Sequence, residues 1–385
     1  MRFFALIFLA VSAPIVFSIA VEEPEFFEIK IDREHPDAIY KAFEDFKVKY
    51  NRKYKDQTEA TMRFNNFVKS YNKVDKLNAE SKAAGHSTRF GINKFSDLTR
   101  EEFSGRLSHV APNNTGIPVL NFDHPKNDKP FFRVTDGNKT RHKRRSTRYP
   151  DWYDLRTEKV NGRAIVGPIK DQGECACCWG FAVTALVESV NAVNTGRFKS
   201  LSDQEVCDCG TEGTPGCKGG SLKLGVEYVK RYGLSTDEDY PYDYTRAWAG
   251  KRCRLRETER IVPARTFTYA AVNPRKAEQQ IMEVLTKWKA PVAVYFKVGE
   301  QFKEYKGGII VSDDCRRATE WHAGVIVGYD SIIENGREYG YWIVKNSWGD
   351  WAEGGFFRVV RGTNWCSIES SPFAGDMKSH DDYYY

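Results

Sequence analysis

Apolar residues recur at helical spacing in the first part of the chain. Ile39, Phe43, Phe46 and Tyr50 make one stripe, and Phe64, Phe67, Tyr71 and Val74 make a second. The residues around them, from about Asp37 to Glu102, are largely charged. This pattern predicts a small helical unit that buries one face of each helix. From about Gly105 to Ser146 the periodicity fails, and Pro, Asn, Gly and Lys dominate. Two glycan acceptor motifs, at Asn113 and Asn138, fall here, with the basic run Arg141 to Arg145 near the end. Such acceptors need exposed backbone, so the stretch reads as a linker open to proteolysis.

Beyond about Tyr149 the pattern changes again. "WGFAVTALVESVNAVNTG" predicts a helix with Phe181, Leu186, Val190 and Val193 on one face and Gly196 as its stop. The later runs "PVAVYF", "AGVIVGYD", "YWIVKNSW" and "FFRVV" read as strands separated by Gly and charged turns. Helices first and strands after make an α+β arrangement with a cleft between the halves.

Composition adds class and compartment. The chain has 385 residues, 41% hydrophobic and 14% aromatic, enough for more than one folding unit. The net charge of +6 is spread over 58 basic and 52 acidic residues. That balance requires neither nucleic acid nor a membrane surface as partner. The first residues, "MRFFALIFLAVSAPIVFSIA", carry one Arg, an apolar stretch with Pro14, and small residues at Ser18 and Ala20. They read as a secretory signal peptide, residues 1–20, cut after Ala20. No later stretch is apolar enough to span a bilayer. The mature chain is therefore expected to be soluble in an oxidising lumen. All nine cysteines lie between Cys175 and Cys366. An odd count there leaves at least one free thiol, and four disulfides plus one thiol is the simplest partition.

Three cysteines crowd into "ECACCWGF": Cys175, Cys177 and Cys178. A zinc cluster is one reading, because Cys207 and Cys209 form a second close pair. No histidine sits near either pair, and the compartment is oxidising. A thioredoxin-like C-x-x-C is another reading, but no βαβ pattern precedes it. The third reading is a catalytic thiol. Cys178 opens the predicted helix, where free N–H groups and the helix dipole favour a thiolate. His322 is the histidine inside the body of the second unit, at the start of a predicted strand. Asn346 supplies an amide to orient an imidazole, and Trp348 a ring to shield that bond. Gln172, on the turn before the helix, supplies an oxyanion donor together with the Cys178 N–H.

These residues resemble the papain family of cysteine peptidases, and more closely its cathepsin-L-like branch. The family signature C-G-[SA]-C-[WY] is matched at Cys175, Cys178 and Trp179, with departures at Ala176 and Cys177. His322 falls within the expected spacing of about 130–150 residues, and Asn346 somewhat beyond it. Upstream, Glu59, Arg63, Phe67 and Asn78 match the family's interspersed pro-region helix motif, with Ser70 and Val74 as departures. Gly91, Asn93, Phe95 and Asp97 complete a second pro-region motif, G-x-N-x-F-x-D.

The resemblance implies a papain-like two-domain fold: a helical left domain, a β-barrel-like right domain and a cleft between them. It implies a signal peptide at 1–20, an inhibitory propeptide at 21–147 (helical over 37–102, linker over 103–147) and a mature peptidase at 148–385. Cleavage is expected near Ser146 to Tyr149. The roles implied are Cys178 as nucleophile, His322 as general acid and base, Asn346 as orienter and Gln172 as oxyanion donor. Gly219 and Gly220 are implied to bind the substrate backbone. Leu222, Ala323 and Ser371 are implied to surround the pocket for the second residue before the cut. A serine at the pocket floor leads us to expect room for bulky apolar side chains. Trp321 stands where many relatives carry Asp or Asn, which removes a carboxylate from beside His322.

The resemblance further implies the disulfides Cys175–Cys217, Cys209–Cys253 and Cys315–Cys366. Cys177 and Cys207 are then left over together, which suggests a fourth bridge. The expected activity is hydrolysis of peptide bonds by a cysteine endopeptidase made as a zymogen. No metal or other cofactor is called for, and a monomer is expected. The partners are protein substrates and the chain's own propeptide, and the location is lysosomal or extracellular. The alternative is an inactive relative that keeps the fold as a binding protein.

Overall fold

The computed structural model describes residues 36–120, 149–211, 216–245, 253 and 260–377. The expected signal peptide, Asn138, the run 141–145 and the C-terminal tail lie outside the described residues.

The N-terminal unit begins with helices α1 (Pro36–Lys49) and α2 (Gln57–Ala83). Asp56 starts α2 by accepting the Glu59 N–H at 2.8 Å. The two helices meet through the aromatic stripes read from the sequence. Phe43, Phe46 and Phe67 are buried, with ring centroids 5.2–5.3 Å apart for Phe46–Phe67 and Phe43–Phe67. Ile39, Tyr50 and Phe64 pack at the edge of this cluster. Val74 lies outside it and is half-buried. A two-residue strand, β1 (Arg89–Phe90), and a short helix, α3 (Arg100–Ser104), follow. Thr99 and Glu102 close a reciprocal capping box at the start of α3.

Strand β2 (Tyr153–Asp154) and a small ribbon, β3 (Lys159–Val160) with β4 (Arg163–Ala164), open the second unit. Helix α4 (Cys178–Thr195) follows, ending at Gly196 with φ 70°. The sequence predicts one apolar face on α4. The structure instead buries it on all sides: Trp179, Val183, Leu186, Val187 and Val190 are each less than 5% exposed. A helix apolar all round is a central element. Helices α5 (Asp203–Cys209) and α6 (Leu222–Tyr232) pack on it, and α7 (Ala277–Glu283) lies further on. Lys170 ties this layer together, pairing with Glu188 of α4 at 2.8 Å and Asp203 of α5 at 2.7 Å.

The remaining strands are β5 (Phe267–Ala271), β6 (Val292–Lys297), β7 (Tyr305–Gly307), β8 (Ile309–Ile310), β9 (Trp321–Glu334), β10 (Arg337–Lys345), β11 (Phe356–Val360) and β12 (Phe373–Met377). An eight-stranded sheet runs β5-β12-β6-β9-β10-β11-β8, with β2 paired to β9. The pairs are antiparallel except β11 with β8. Asn335 (φ 51°) and Gly336 (φ 75°) turn the long β9–β10 hairpin, the left-handed pair that a tight primed turn needs.

The N-terminal unit is bound to the second unit along its length. β1 pairs with β7. Asn93 Nδ2 donates to the Lys303 carbonyl at 2.7 Å, and Gly91 N–H to the Glu304 carbonyl at 2.8 Å. Further on, Ser108 and Trp321 exchange two backbone hydrogen bonds of 2.7 Å. Leu120 N–H then reaches the Ala271 carbonyl at 2.8 Å. The segment therefore starts beside β7 and ends beside β5, crossing the ends of α4 and β9 on the way.

Candidate active site

Cys178 is the first residue of α4 and is completely buried. The residue before it, Cys177, makes no side-chain cap, so the first N–H groups of the helix stay available. Burial pushes the Cys178 thiol up to about 12; backbone N–H groups of Ala323, Trp179, Ser108 and Cys178 itself pull the other way. Two of these come from the helix start, one from β9 and one from the N-terminal segment.

His322 stands on β9 immediately before Ala323 and is also completely buried. Its Nε2 lies 2.7 Å from Asn346 Oδ1. The Ser347 N–H donates to the same oxygen at 2.8 Å, which fixes Asn346 with its oxygen toward the ring. Nε2 must then carry the hydrogen, and Nδ1 keeps its lone pair. Nδ1 is buried and has no hydrogen-bond partner. Burial lowers the His322 pKa to about 4, against the raising effect of the Asn346 bond. With the N-terminal segment in place, burial thus favours the neutral form of both thiol and imidazole. Trp348 covers the imidazole, ring centroids 4.5 Å apart, and Phe296 meets it edge-on at 5.4 Å.

Gln172 is completely buried. Ser347 Oγ donates to its Oε1 at 2.6 Å, which turns its NH₂ group the other way. That group donates to the Cys175 carbonyl at 2.6 Å and to the Arg106 carbonyl at 2.8 Å. A backbone carbonyl of the N-terminal segment therefore occupies the amide expected to bind an oxyanion. Around it, Lys94 pairs with Asp171 at 2.5 Å and Arg106 with Glu174 at 3.3 Å. Phe95 and Phe103 set their edges on Trp348 at 5.3 and 5.5 Å.

Gly219 adopts φ 97°, and a Cβ there would lie 2.8 Å from Ser108 Oγ. The glycine thus admits a neighbouring chain at backbone distance. Leu222 and Ala323 are buried, and Ser371 is partly exposed. Sequence reasoning missed Tyr295. It pairs with Ala323 in the β6–β9 register and is 1% exposed. Its hydroxyl accepts the Leu222 N–H at 2.8 Å and donates to the Gly220 carbonyl at 3.1 Å. The sole signal was a tyrosine inside the apolar run "PVAVYF".

The sulfur atoms sort into Cys175–Cys217, Cys177–Cys207, Cys209–Cys253 and Cys315–Cys366. Cys178 is left as the free cysteine. Cys175, Cys177, Cys207 and Cys209 all lie in disulfides, which leaves no thiolate set for zinc and no Cys175–Cys178 redox pair.

Comparison with known proteins agrees with this architecture. Residues 149–375 match the model of the papain family cysteine proteases, and residues 43–103 that of the cathepsin propeptide inhibitor domain. A cathepsin L-like proteinase of Phaedon cochleariae is 34% identical over 333 residues, covering 84% of this chain and 90% of that protein. Fruit bromelain of Ananas comosus is 30% identical over 356 residues, covering 90% and 89%. The solved structure of a digestive procathepsin L2 proteinase from the Tenebrio molitor larval midgut superposes with a TM-score of 0.72 at 28% identity, covering 88% of this chain and all of that one. The chain belongs to the papain family of cysteine proteases and is a cathepsin-L-like proenzyme, with the inhibitor domain ahead of the protease.

Proposed function

We propose that the protein is an endopeptidase whose chemistry runs through Cys178, His322, Asn346 and Gln172. The observation that carries this reading is the His322–Asn346 bond of 2.7 Å, which leaves a buried, unpartnered Nδ1 as the base. Once the propeptide leaves, His322 Nδ1 takes the Cys178 thiol proton. The thiolate attacks a peptide carbonyl carbon, and the oxyanion takes the place of the Arg106 carbonyl on Gln172. Collapse breaks the C–N bond, and His322 returns the proton to the leaving amine. Water, deprotonated by His322, then cleaves the thioester and releases the acid. Trp348 keeps water from the His322–Asn346 bond throughout. Gly219 and Gly220 hold the substrate backbone beside the pocket of Leu222, Ala323 and Ser371.

The unit boundaries follow the same reading: signal peptide 1–20, propeptide 21–147 and protease 148–385. Glycans on Asn113 and Asn138 would be lost with the propeptide. Four disulfides fit an oxidising compartment, and no described helix is long and apolar enough to cross a membrane. We place the active form as a monomer in a lysosome or outside the cell.

Digestion of a denatured protein by the acid-activated enzyme tests this reading. Internal cuts by wild type and none by Cys178→Ala are expected. Turnover by Cys178→Ala contradicts the assigned nucleophile, and release of terminal residues alone contradicts endopeptidase action.

A further inference from the structure

The cleft has a floor that its motif residues do not describe. The scissile carbonyl belongs beside Gln172 and the start of α4. Here the N-terminal segment runs between two walls: Ser108 lies against Gly219 on one side and pairs with Trp321 on the other. A substrate in the same channel is extended, and its side chains alternate. The side chain next to the scissile residue then points to the floor between Gly220 and Ala323.

Tyr295 stands there. It is opposite Ala323 in register, and its hydroxyl bridges Gly220 and Leu222. Burial first, and a negative charge on Cys178 second, hold its hydroxyl in the protonated form. The ring is pinned at both ends, by its strand and by two satisfied hydrogen bonds, so moving it aside strands two buried polar groups. The segment that now fills the channel behaves accordingly. Leu107 and Ser108 are buried, but His109 and Val110 are exposed, Val110 at 42%. No side chain from residue 109 to 116 is buried. Val110, two residues beyond Ser108, thus stays in water and enters no pocket.

We infer that Tyr295 closes the pocket for the second residue before the cut and restricts it to small side chains. This rests on the catalytic reading above, and it replaces the sequence expectation that Ser371 leaves room for bulky ones. Ser371 remains at the margin, two residues before Phe373, which pairs with Ala293 on the strand of Tyr295.

A series of arginine coumarylamides that differ only in the preceding residue (Gly, Ala, Leu or Phe) tests it, after the enzyme has been titrated with an epoxide inhibitor. Wild type should prefer Ala over Leu and Phe by at least about tenfold in kcat/KM. Tyr295→Ala should raise the Leu and Phe rates and reverse that order. Tyr295→Phe should keep the wild-type order, because its ring still fills the space. If Tyr295→Ala does not fold, the wild-type and Tyr295→Phe profiles decide. Wild type that takes Leu or Phe as well as Ala overturns this inference alone. Absence of both turnover and epoxide labelling overturns the catalytic reading, and this inference with it.

Discussion

The side-chain amide of Gln172 holds the backbone carbonyl of Arg106 at 2.8 Å. In the proposed mechanism one donor serves two states in turn, inhibition by a tethered carbonyl and stabilisation of an oxyanion. Gln172→Ala should lower kcat by about 10²–10³-fold with little change in KM. The same change should speed loss of the propeptide, read as faster processing by an added protease. A normal kcat would remove Gln172 from the oxyanion site.

In the proposed mechanism Asn346 acts through His322, and its loss should leave the acid–base group present but poorly aimed. Asn346→Ala should cost kcat no more than about 10²-fold, the low end of what positioned proton transfer contributes. The pH–rate profile should shift as well, because the Asn346 bond raises the imidazole pKa. A lower kcat with an unmoved profile would point to loss of packing alone.

Acid should loosen the closed form through His322. Its pKa is about 4 when covered and about 6.5 when unfolded. The unfolded chain therefore binds more protons between these values, and stability falls as pH drops from about 6.5 to 4. The effect is at most about 3 kcal/mol. Thermal unfolding of the Cys178→Ser proenzyme should follow this slope, and adding His322→Gln should flatten it. Asp97 works against it: burial raises its pKa, opposed by Arg52, Tyr54 and Arg63. Its contribution to stability therefore grows as pH falls. An unchanged slope in the double variant would assign the acid response to other groups.

The bridge Cys177–Cys207 joins the residue before the candidate nucleophile to α5 across a sequence separation of 30. Gly180 makes room for it: a Cβ there would lie 2.7 Å from Cys177 Sγ and 2.9 Å from Cys207 Sγ. Removing both cysteines as alanines should cost about 2–4 kcal/mol. Gly180→Ala should destabilise the wild type but be tolerated in the double-alanine background, a coupling that thermal unfolding reads directly. Thiol titration of the denatured, unreduced protein should find one free thiol; three would mean that the bridge is absent.

The candidate site residues Cys178, His322, Asn346 and Gln172 could be named from the sequence because each is a chemically distinct residue at a distinctive place. The helices of the N-terminal unit were legible from two aromatic stripes. Other features depend on contacts between distant segments. Strand β1 is two residues long and gains its identity from β7. Tyr295 looks like any core residue of an apolar strand until Gly220 and Leu222 are brought to its hydroxyl. Helix α4 shows one strong face in sequence, because its smaller buried residues carry no periodic signal.

If Cys178 is the nucleophile, the Arg106 carbonyl and its flanking segment should shield it from reagents in the intact proenzyme. Peptide mapping by mass spectrometry after epoxide treatment, on the intact proenzyme and on the acid-activated form, tests this most directly. One adduct per chain, on Cys178, is expected after activation and almost none before. An adduct on another residue, or equally fast labelling of Cys178 in the intact proenzyme, would contradict it.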